Sequence, residues 1–353
     1  MVEILTLNNI EKWRNYLSNL PLELQDIYYK PEYYEIYETN GYGRAMCFVF
    51  TLNNKIAMYP FLINSVNNLG YKLEEEYYDI QGAYGYNGIL SNSYDDEFVV
   101  KFNMNFLNFI SQKKIIAEFT RFNPVLRNRL KPFHLDTMFI QENVVLDLSN
   151  DNIAKTEYEY STRKNIKKAL RNNLHCIIID GDKINNELLS LFIEIYYDTM
   201  SRNNAANDYY FSLEYFNKLI TSIGSNCRFY FVQFENKIIS TELVLFEKKI
   251  AYSYLGGTLK DYFYVRPNDF LKDKIIKDMK CEGKKYYCLG GGSPGILRYK
   301  KSFAKNGSVK FFIGKRIYNQ TIYKEIIQQW KKSNPVSFQT YNNMILKYRI
   351  KDA

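Results

Sequence analysis

The stretch Ala251-Tyr252-Ser253-Tyr254-Leu255-Gly256-Gly257-Thr258 decides the order of elements in the second half of the chain. Its aromatic and aliphatic residues predict a strand over 250–255 that ends at the glycines. A predicted hairpin over 229–234 and 238–246 precedes it, and a helix over 270–279 and a strand over 286–289 follow it. The second half therefore contains a hairpin, a strand ending in glycine, a helix and a further strand.

The first half repeats this order. Two strands are predicted over 47–52 and 55–63, followed by a helix over 97–110 and a strand over 115–119. The offset between the halves is roughly 170–180 residues, which indicates an internal duplication. We therefore expect a mixed α/β fold of two similar domains packed together. The first spans 1–150, and the second spans 151–353 with a basic helix and a C-terminal helical tail.

The charge distribution supports a boundary near residue 150. Residues 1–150 carry 13 Lys and Arg against 18 Asp and Glu, a net charge of −5, whereas residues 151–353 carry 34 against 20, a net charge of +14. A basic half of this size favours an anionic partner, although a solvated basic surface explains the same numbers.

The composition excludes several classes of protein. Five scattered cysteines without a C-x-x-C pair exclude a disulfide framework and a thiolate zinc site, and two histidines exclude a histidine-rich metal site. The N-terminal residues lack the basic and apolar regions of a secretory signal, and no apolar run reaches the ~18 residues that span a bilayer. We expect a cytoplasmic protein without a bound metal.

A glycine run, Gly290-Gly291-Gly292-Ser293-Pro294-Gly295, matches two catalytic patterns and satisfies neither. The dinucleotide pattern G-x-G-x-x-G needs a carboxylate about 20 residues later, where this chain has Lys310, Lys315 and Arg316. The hydrolase pattern G-x-S-x-G needs a downstream histidine, but both histidines lie upstream.

Two basic segments remain. The pattern over 160–171 predicts one helix on which Arg163, Lys167 and Arg171 recur at i, i+4 and i+8. Unmatched cations repel one another, so a phosphate-bearing partner would relieve them, while a solvated basic face remains the alternative. The second segment, Arg298-Tyr299-Lys300, follows the glycine run, where backbone N–H groups and cations together suit a pyrophosphate or a carboxylate.

These residues carry a resemblance. The stretch 251–258, then Pro267-Asn268, then the run 287–292, then Tyr299-Lys300-Lys301-Ser302-Phe303 is similar to the C-terminal half of FemABX-type transferases, which are tandem members of the GNAT superfamily. The last stretch resembles that family's F-K-x-x-F pattern, with Tyr299 replacing the first phenylalanine. Tyr84-Gly85-Tyr86-Asn87-Gly88 and Arg121-Phe122-Asn123-Pro124 resemble its N-terminal landmarks.

The resemblance implies two GNAT-like domains and transfer of an acyl or aminoacyl group to an amine of a cell-envelope precursor, in peptidoglycan or surface-polysaccharide biosynthesis. The resemblance also implies acyl-CoA or aminoacyl-tRNA as co-substrate, with no tightly bound cofactor. The partners it implies are a nucleotide- or lipid-linked amino-sugar precursor, tRNA in the aminoacyl case, and the inner membrane surface by peripheral contact. The substrate-binding residues implied are Arg298, Tyr299, Gly290, Gly291, Gly292, Tyr254, Gly256, Gly257, Tyr84, Tyr86 and Arg121. Those implied for the donor are Arg163, Lys167, Arg171 and Asn268.

The chain departs from the family in two ways. It lacks the helical arm that some members insert, and it lacks the glycine-bearing pyrophosphate loop after Thr258. With no histidine available in this region, we expect Lys300 to hold a substrate phosphate or steady the oxyanion. Asp261 is the candidate carboxylate base, since Asp269 is better explained as a helix cap. A nucleic-acid-binding protein and a non-catalytic envelope-assembly protein remain as alternatives.

Overall fold

The computed structural model describes residues 1–130, 133–341 and 343–352. Its contacts divide the chain into two units. Unit 1 comprises residues 1–24, 28–140 and 311–353, and unit 2 comprises residues 25–27 and 141–310.

The helices and strands follow one another in chain order: β1 (Val2–Thr6), α1 (Ile10–Ser18), α2 (Pro31–Thr39), β2 (Arg44–Leu52), β3 (Lys55–Ser65), β4 (Tyr78–Gln81), β5 (Leu90–Ser91), α3 (Asp96–Gln112), β6 (Ile115–Arg121), β7 (Asp136–Asp147), α4 (Ile153–Thr156), α5 (Tyr160–Arg171), β8 (His175–Asp180), α6 (Asn186–Arg202), α7 (Leu213–Ile223), β9 (Cys227–Phe234), β10 (Lys237–Phe246), β11 (Ile250–Thr258), α8 (Pro267–Cys281), β12 (Tyr286–Gly290), α9 (Pro294–Lys301), β13 (Ser308–Ile317), α10 (Gln320–Ser333) and α11 (Pro335–Tyr341).

The strands of the two units follow the same pairing pattern. In unit 1 the strand order is β1-β2-β3-β4-β6-β13, with β5 on β3, and in unit 2 it is β8-β9-β10-β11-β12-β7. In each unit the first four strands pair antiparallel, the fourth and fifth pair parallel, and the last is antiparallel again. A helix, α3 or α8, joins the parallel strands, as a crossover requires. The predicted mixed α/β fold class is confirmed.

Unit 1 buries an aromatic core. Phe98, Phe102, Phe106 and Phe109 recur along one face of α3 and pack against phenylalanines of β2 and β3. Asp95 begins this helix by accepting a hydrogen bond from the Phe98 N–H at 3.0 Å, as an N-cap aspartate does.

The C-terminal residues 311–353 pack in unit 1, whereas the sequence assigned them to the second domain. Trp330 and Ile326 of α10 are buried against Ile116 of β6, and Tyr348 is fully buried with them. The division between the units falls within β7 and β13, at residues 140/141 and 310/311, rather than at residue 150. Apolar burial of the tail on the first sheet accounts for this difference.

Candidate functional site

In unit 2, strands β11 and β12 diverge. They pair in parallel only from Ile250–Tyr286 to Tyr252–Cys288, although β11 continues to Thr258. On β10, the register shifts opposite Tyr254, which marks a β-bulge in β11. Beyond Tyr252, the backbone of β11 is therefore a strand edge that does not pair with β12, and the N–H and C=O groups of such an edge can bind a ligand.

The glycine run turns the chain from β12 into α9. Gly290 has φ +74° and Gly292 has φ +146°, values that favour glycine. At Gly291, a Cβ atom would lie 2.2 Å from Nε2 of Gln141 and 2.6 Å from Oδ1 of Asn143. The three predicted glycines therefore have a structural role in this tight turn, and their contact with substrate remains a prediction.

Lys300 lies on α9 and points back to this turn. Its Nζ donates a hydrogen bond to the Gly291 carbonyl oxygen at 2.6 Å. The side chain is partly buried, and burial, together with repulsion from Lys272, lowers the pKa of Lys300 to about 8. An amine with this pKa exists in both charged and neutral forms near neutral pH.

The neighbours of Lys300 have other contacts. The Tyr299 hydroxyl donates to the Asn268 carbonyl oxygen at 3.0 Å, and the Tyr299 ring packs edge-on against Phe303. Lys301 pairs with Glu142 at 2.6 Å, and Arg298 is exposed. Tyr299 therefore anchors α9 on α8, while the two neighbouring cations point elsewhere.

A buried polar network lies in the core of unit 2. Nζ of Lys272 contacts both carboxylate oxygens of Glu242 at 2.6 Å, and it also contacts the hydroxyls of Ser253 and Tyr287 at 3.2 and 3.1 Å. Burial acts to raise the pKa of Glu242, but Lys272 and the two hydroxyls lower it, so the carboxylate is charged. The sequence analysis missed this pair, although Glu242 interrupts the otherwise apolar end of β10.

The predicted site residues of β11 and of the start of α8 make close contacts with neighbouring elements of unit 2. A Cβ at Gly257 would lie 2.4 Å from the Ile195 carbonyl oxygen, so this glycine lets α6 approach β11. A Cβ at Gly256 would lie 2.7 Å from the Thr241 carbonyl oxygen. Tyr254 forms a hydroxyl–hydroxyl hydrogen bond with Tyr215, and Asn268 accepts one from Thr258.

The two candidate carboxylates differ in burial. Asp261 is exposed in a short 3₁₀ helix, Lys260–Val265, and forms no side-chain hydrogen bond or ion pair within the described residues. Asp269 is buried in the first turn of α8 and accepts a hydrogen bond from Asn165 at 3.2 Å. Burial raises the pKa of Asp269. The assignment of Asp261 as the base remains a prediction.

The basic helix is confirmed as α5, and its cations divide into two groups. Arg163 donates to the carbonyl oxygens of Tyr158 and, at 3.4 Å, Ala154, so it fixes the preceding backbone. The exposed cations form no ion pair within the described part of the chain; they are Lys164, Lys167, Lys168 and Arg171. Of the predicted donor-binding residues on this helix, Lys167 and Arg171 face solvent and Arg163 does not.

A polar cleft of about 460 Å³ adjoins the end of α5. Its lining begins at Asn172, the residue that follows the helix, and most of its side chains are amides. The lining residues are Asn172, Asn173, His175, Gln233, Phe234, Glu235 and Asn236.

Three predicted substrate-binding residues belong to unit 1. The Tyr84 carbonyl oxygen accepts a hydrogen bond from Tyr33 at 2.6 Å. The Tyr86 ring packs edge-on against the rings of Tyr28 and Phe311. The Arg121 guanidinium lies 5.1 Å from the centre of the Phe119 ring. Their roles in binding substrate remain predictions.

The described residues contain no cluster of three or more His, Cys, Asp or Glu side chains that could hold a metal ion. Within the same residues, no helix is both long enough and apolar enough to cross a membrane.

Comparison with known proteins supports a GNAT fold. Residues 160–301 match the family model described as an acetyltransferase (GNAT) domain. No curated protein matches the chain. The crystal structure of FemX is similar with a TM-score of 0.67 at 13% identity, covering 91% of this chain and 99% of that chain.

Two further structures share the fold. One is the C-terminal domain of a protein described as a lysylphosphatidylglycerol synthetase, from Agrobacterium fabrum, with a TM-score of 0.51, 11% identity, and coverage of 91% of this chain and 95% of that chain. The other is a conserved protein of unknown function from Bacteroides thetaiotaomicron, with a TM-score of 0.52, 10% identity, and coverage of 90% and 100%. Residues 160–301 thus resemble a GNAT domain, and the chain has the fold of FemX, as the resemblance to FemABX-type proteins predicted.

Proposed function

We propose that this protein transfers an aminoacyl or acyl group from aminoacyl-tRNA or acyl-CoA to an amine of a nucleotide- or lipid-linked amino-sugar precursor of the cell envelope. The observation that carries the proposal is the position of Lys300, a partly buried amine beside the opening between β11 and β12 of a GNAT domain. The proposal places the reaction in the cytoplasm, where both kinds of donor are made.

The proposed chemistry is an attack of the acceptor amine on the donor carbonyl. The new C–N bond forms as the ester or thioester bond breaks, the leaving oxygen or sulfur takes a proton, and the amine loses one. Charge develops on the carbonyl oxygen in the tetrahedral intermediate, and a nearby cation stabilises it. Lys300 supplies that cation when protonated, or it holds a substrate phosphate and so fixes the acceptor in place.

Three observations favour aminoacyl-tRNA as the donor. The residues after Thr258 form a 3₁₀ helix, Lys260–Val265, without the glycines that bring backbone N–H groups to the pyrophosphate of CoA. The exposed cations of α5 have no acidic partner among the described residues, and the amide-lined cleft begins at Asn172, directly after this helix. One structure with this fold belongs to a protein named for lysylphosphatidylglycerol, an aminoacylated lipid.

Mass spectrometry of product mixtures tests the proposal. The protein is incubated with aminoacyl-tRNA or with acetyl-CoA and a panel of nucleotide-linked amino sugars and muropeptides. We expect an acceptor heavier by one aminoacyl residue in the tRNA series, and its loss in Lys300→Met but not in Lys301→Met. Lys301 is the matched control because it lies next to Lys300 and pairs with Glu142. Retention of RNA without turnover in any series would favour a nucleic-acid-binding protein.

A further inference from the structure

The Glu242–Lys272 pair is an ionised pair inside the core of unit 2. Glu242 is 8% exposed and Lys272 is 4% exposed. Among the described residues, the Lys272 amine donates only within this network, whose other members are the Ser253 and Tyr287 hydroxyls. Both hydroxyls also donate to Glu242, at 2.7 and 2.6 Å.

Folding alone does not explain this pair. Two charges lose their hydration when they are buried, and apolar residues of similar volume commonly stabilise a core equally well or better. The core of unit 2 to which Tyr287 belongs is otherwise apolar, with Val244, Ile275 and Leu289 fully buried in it. A hydrophobic replacement would therefore suit the packing, so a role beyond packing is expected for the pair.

The network lies where β11 and β12 diverge. Ser253 is the first residue of β11 beyond the last pair with β12, and Tyr287 lies within the paired part of β12. Four residues after Tyr287, the Gly291 carbonyl oxygen receives the Lys300 amine. Tyr299 links the two helices that carry the lysines, because its hydroxyl reaches Asn268, one turn before Lys272 on α8.

We infer that the Glu242–Lys272 pair is a positioning element for Lys300. Glu242 holds Lys272 on the helix that Tyr299 fastens to α9, and from there Lys272 presents its positive charge to the Lys300 amine. The catalytic consequence rests on the function proposed above, but the coupling of the two lysines does not.

The charges facing Lys300 determine the direction of the effect. Burial is the largest influence on its pKa and lowers it, Lys272 on α8 lowers it further, and Cys288 on β12 and Glu242 on β10 raise it by less. Removing Lys272, alone or together with Glu242, should therefore raise the pKa of Lys300, and removing only Glu242 should lower it.

Competitive labelling measures this directly. The full-length protein is treated with acetic anhydride across a pH series, and the labelled fraction of Lys300 is compared with that of exposed Lys248 by peptide mass spectrometry. In the wild type we expect a labelling midpoint near pH 8 for Lys300. In Lys272→Met/Glu242→Gln the midpoint should move upward, and glutamine still accepts from Ser253 and Tyr287, which favours folding.

Two single variants and one control complete the test. Lys272→Met should also move the midpoint upward, and Glu242→Gln should move it downward. Lys277→Met removes an exposed amine from the same helix, where it pairs with the buried Asp273, and should leave the midpoint unchanged. The inference would be overturned if the Lys300 labelling midpoint of every folded Lys272 and Glu242 variant equalled that of the wild type. It would also be overturned if Lys277→Met moved the midpoint as far as Lys272→Met does.

The pH profile of transfer separates the two proposals. If Lys300 acts as the inference states, the alkaline fall in transfer moves in step with its labelling midpoint in each variant. Labelling midpoints that shift as expected without detectable transfer would refute the proposed function and retain the coupling. Transfer that persists in the variants with an unshifted pH profile and an unshifted labelling midpoint would retain the proposed function and refute the coupling of the two lysines.

Discussion

Each unit contains a buried carboxylate that pairs with a lysine or an arginine from another element, and the two pairs compared here differ in the cation. In unit 1, Asp79 accepts two hydrogen bonds from Arg349 at 2.8 Å each and one from the Tyr348 hydroxyl at 2.7 Å. In unit 2, Glu242 is paired with Lys272. The planar guanidinium fixes geometry through paired donors, whereas an ammonium is a compact charge that shifts its pKa readily on burial.

The locations of the pairs match these properties. Arg349 lies 270 residues from Asp79 in the chain, so its pair fastens the C-terminal tail to β4. Lys272 lies within the core of unit 2, and its charge acts on the Lys300 amine. We therefore expect the Asp79–Arg349 pair to affect stability and the Glu242–Lys272 pair to affect proton release at the site.

The largest effect is expected from Arg349→Met. This change leaves Asp79 buried without its cation, and removing one member of a buried pair costs about 3–5 kcal/mol. Both tryptophans, Trp13 and Trp330, belong to unit 1, so their fluorescence in a urea titration reports the unfolding of this unit. Lys101→Met, which removes an exposed pair with Glu97 on α3, is the control and should cost less than about 1 kcal/mol. Equal destabilisation of the two variants would mean that the Asp79–Arg349 pair contributes no more to stability than an exposed ion pair.

On the unit 2 side, Lys300→Met should lower transfer by ~10²–10³, the loss expected for one oxyanion donor. Burial lowers the pKa of Lys300 from 10.5 to about 8, so the cost of burying its charge is complete below about pH 8 and is relieved as the pH rises toward 10.5. The methionine variant should therefore be no less stable than the wild type at neutral pH. Initial rates of transfer and a thermal unfolding midpoint are measured on the same preparations. Near-normal turnover in folded Lys300→Met would show that the amine is a surface feature of α9.

The third effect is a pH dependence. Because the pKa of Lys300 is about 8, the ammonium is present below this pH and is lost as the pH rises through it. Transfer should therefore fall above pH 8, by roughly tenfold for each further pH unit if only the charged form acts. Lys300→Arg keeps its charge at all these values, and whatever activity it retains should show no fall between pH 8 and 10. A fall of the same size in Lys300→Arg would assign the loss of transfer above pH 8 to another titrating group.

The sequence predicted those parts of the molecule that depend on local pattern. Helix α5 follows from the spacing of Ile166 and Ala169 among its cations, and the turn before α9 follows from its glycines. The position of Lys300 near that turn also follows from a short distance in sequence, since only nine residues separate it from Gly291.

The features that the sequence did not predict depend on distant partners. Residues 311–353 were assigned to the second domain because nothing in the local pattern of β13 or α10 identifies the sheet on which it packs. Lys272 is one lysine among several on α8, and only the fold shows that it faces Glu242 while Lys277 faces solvent. Burial thus distinguishes residues that composition makes equivalent.

The smallest effect concerns the exposed cations of α5, which neither pair with a buried carboxylate, as Arg349 does, nor lie buried in the core, as Lys272 does. Lys167→Glu/Arg171→Glu should weaken binding of tRNA, and each exposed cation is expected to contribute roughly 0.2–1 kcal/mol. The slope of log affinity against log salt should flatten by about 0.7–0.9 for each phosphate that the variant no longer neutralises, which filter binding across 50–200 mM salt can measure. Lys183→Glu/Lys277→Glu changes the net charge equally but at lysines that pair with Asp180 and Asp273, so it should leave the slope unchanged. Equal slopes in the two double variants would mean that α5 contributes only to the overall charge of the protein, and its outer face would then be a solvated surface.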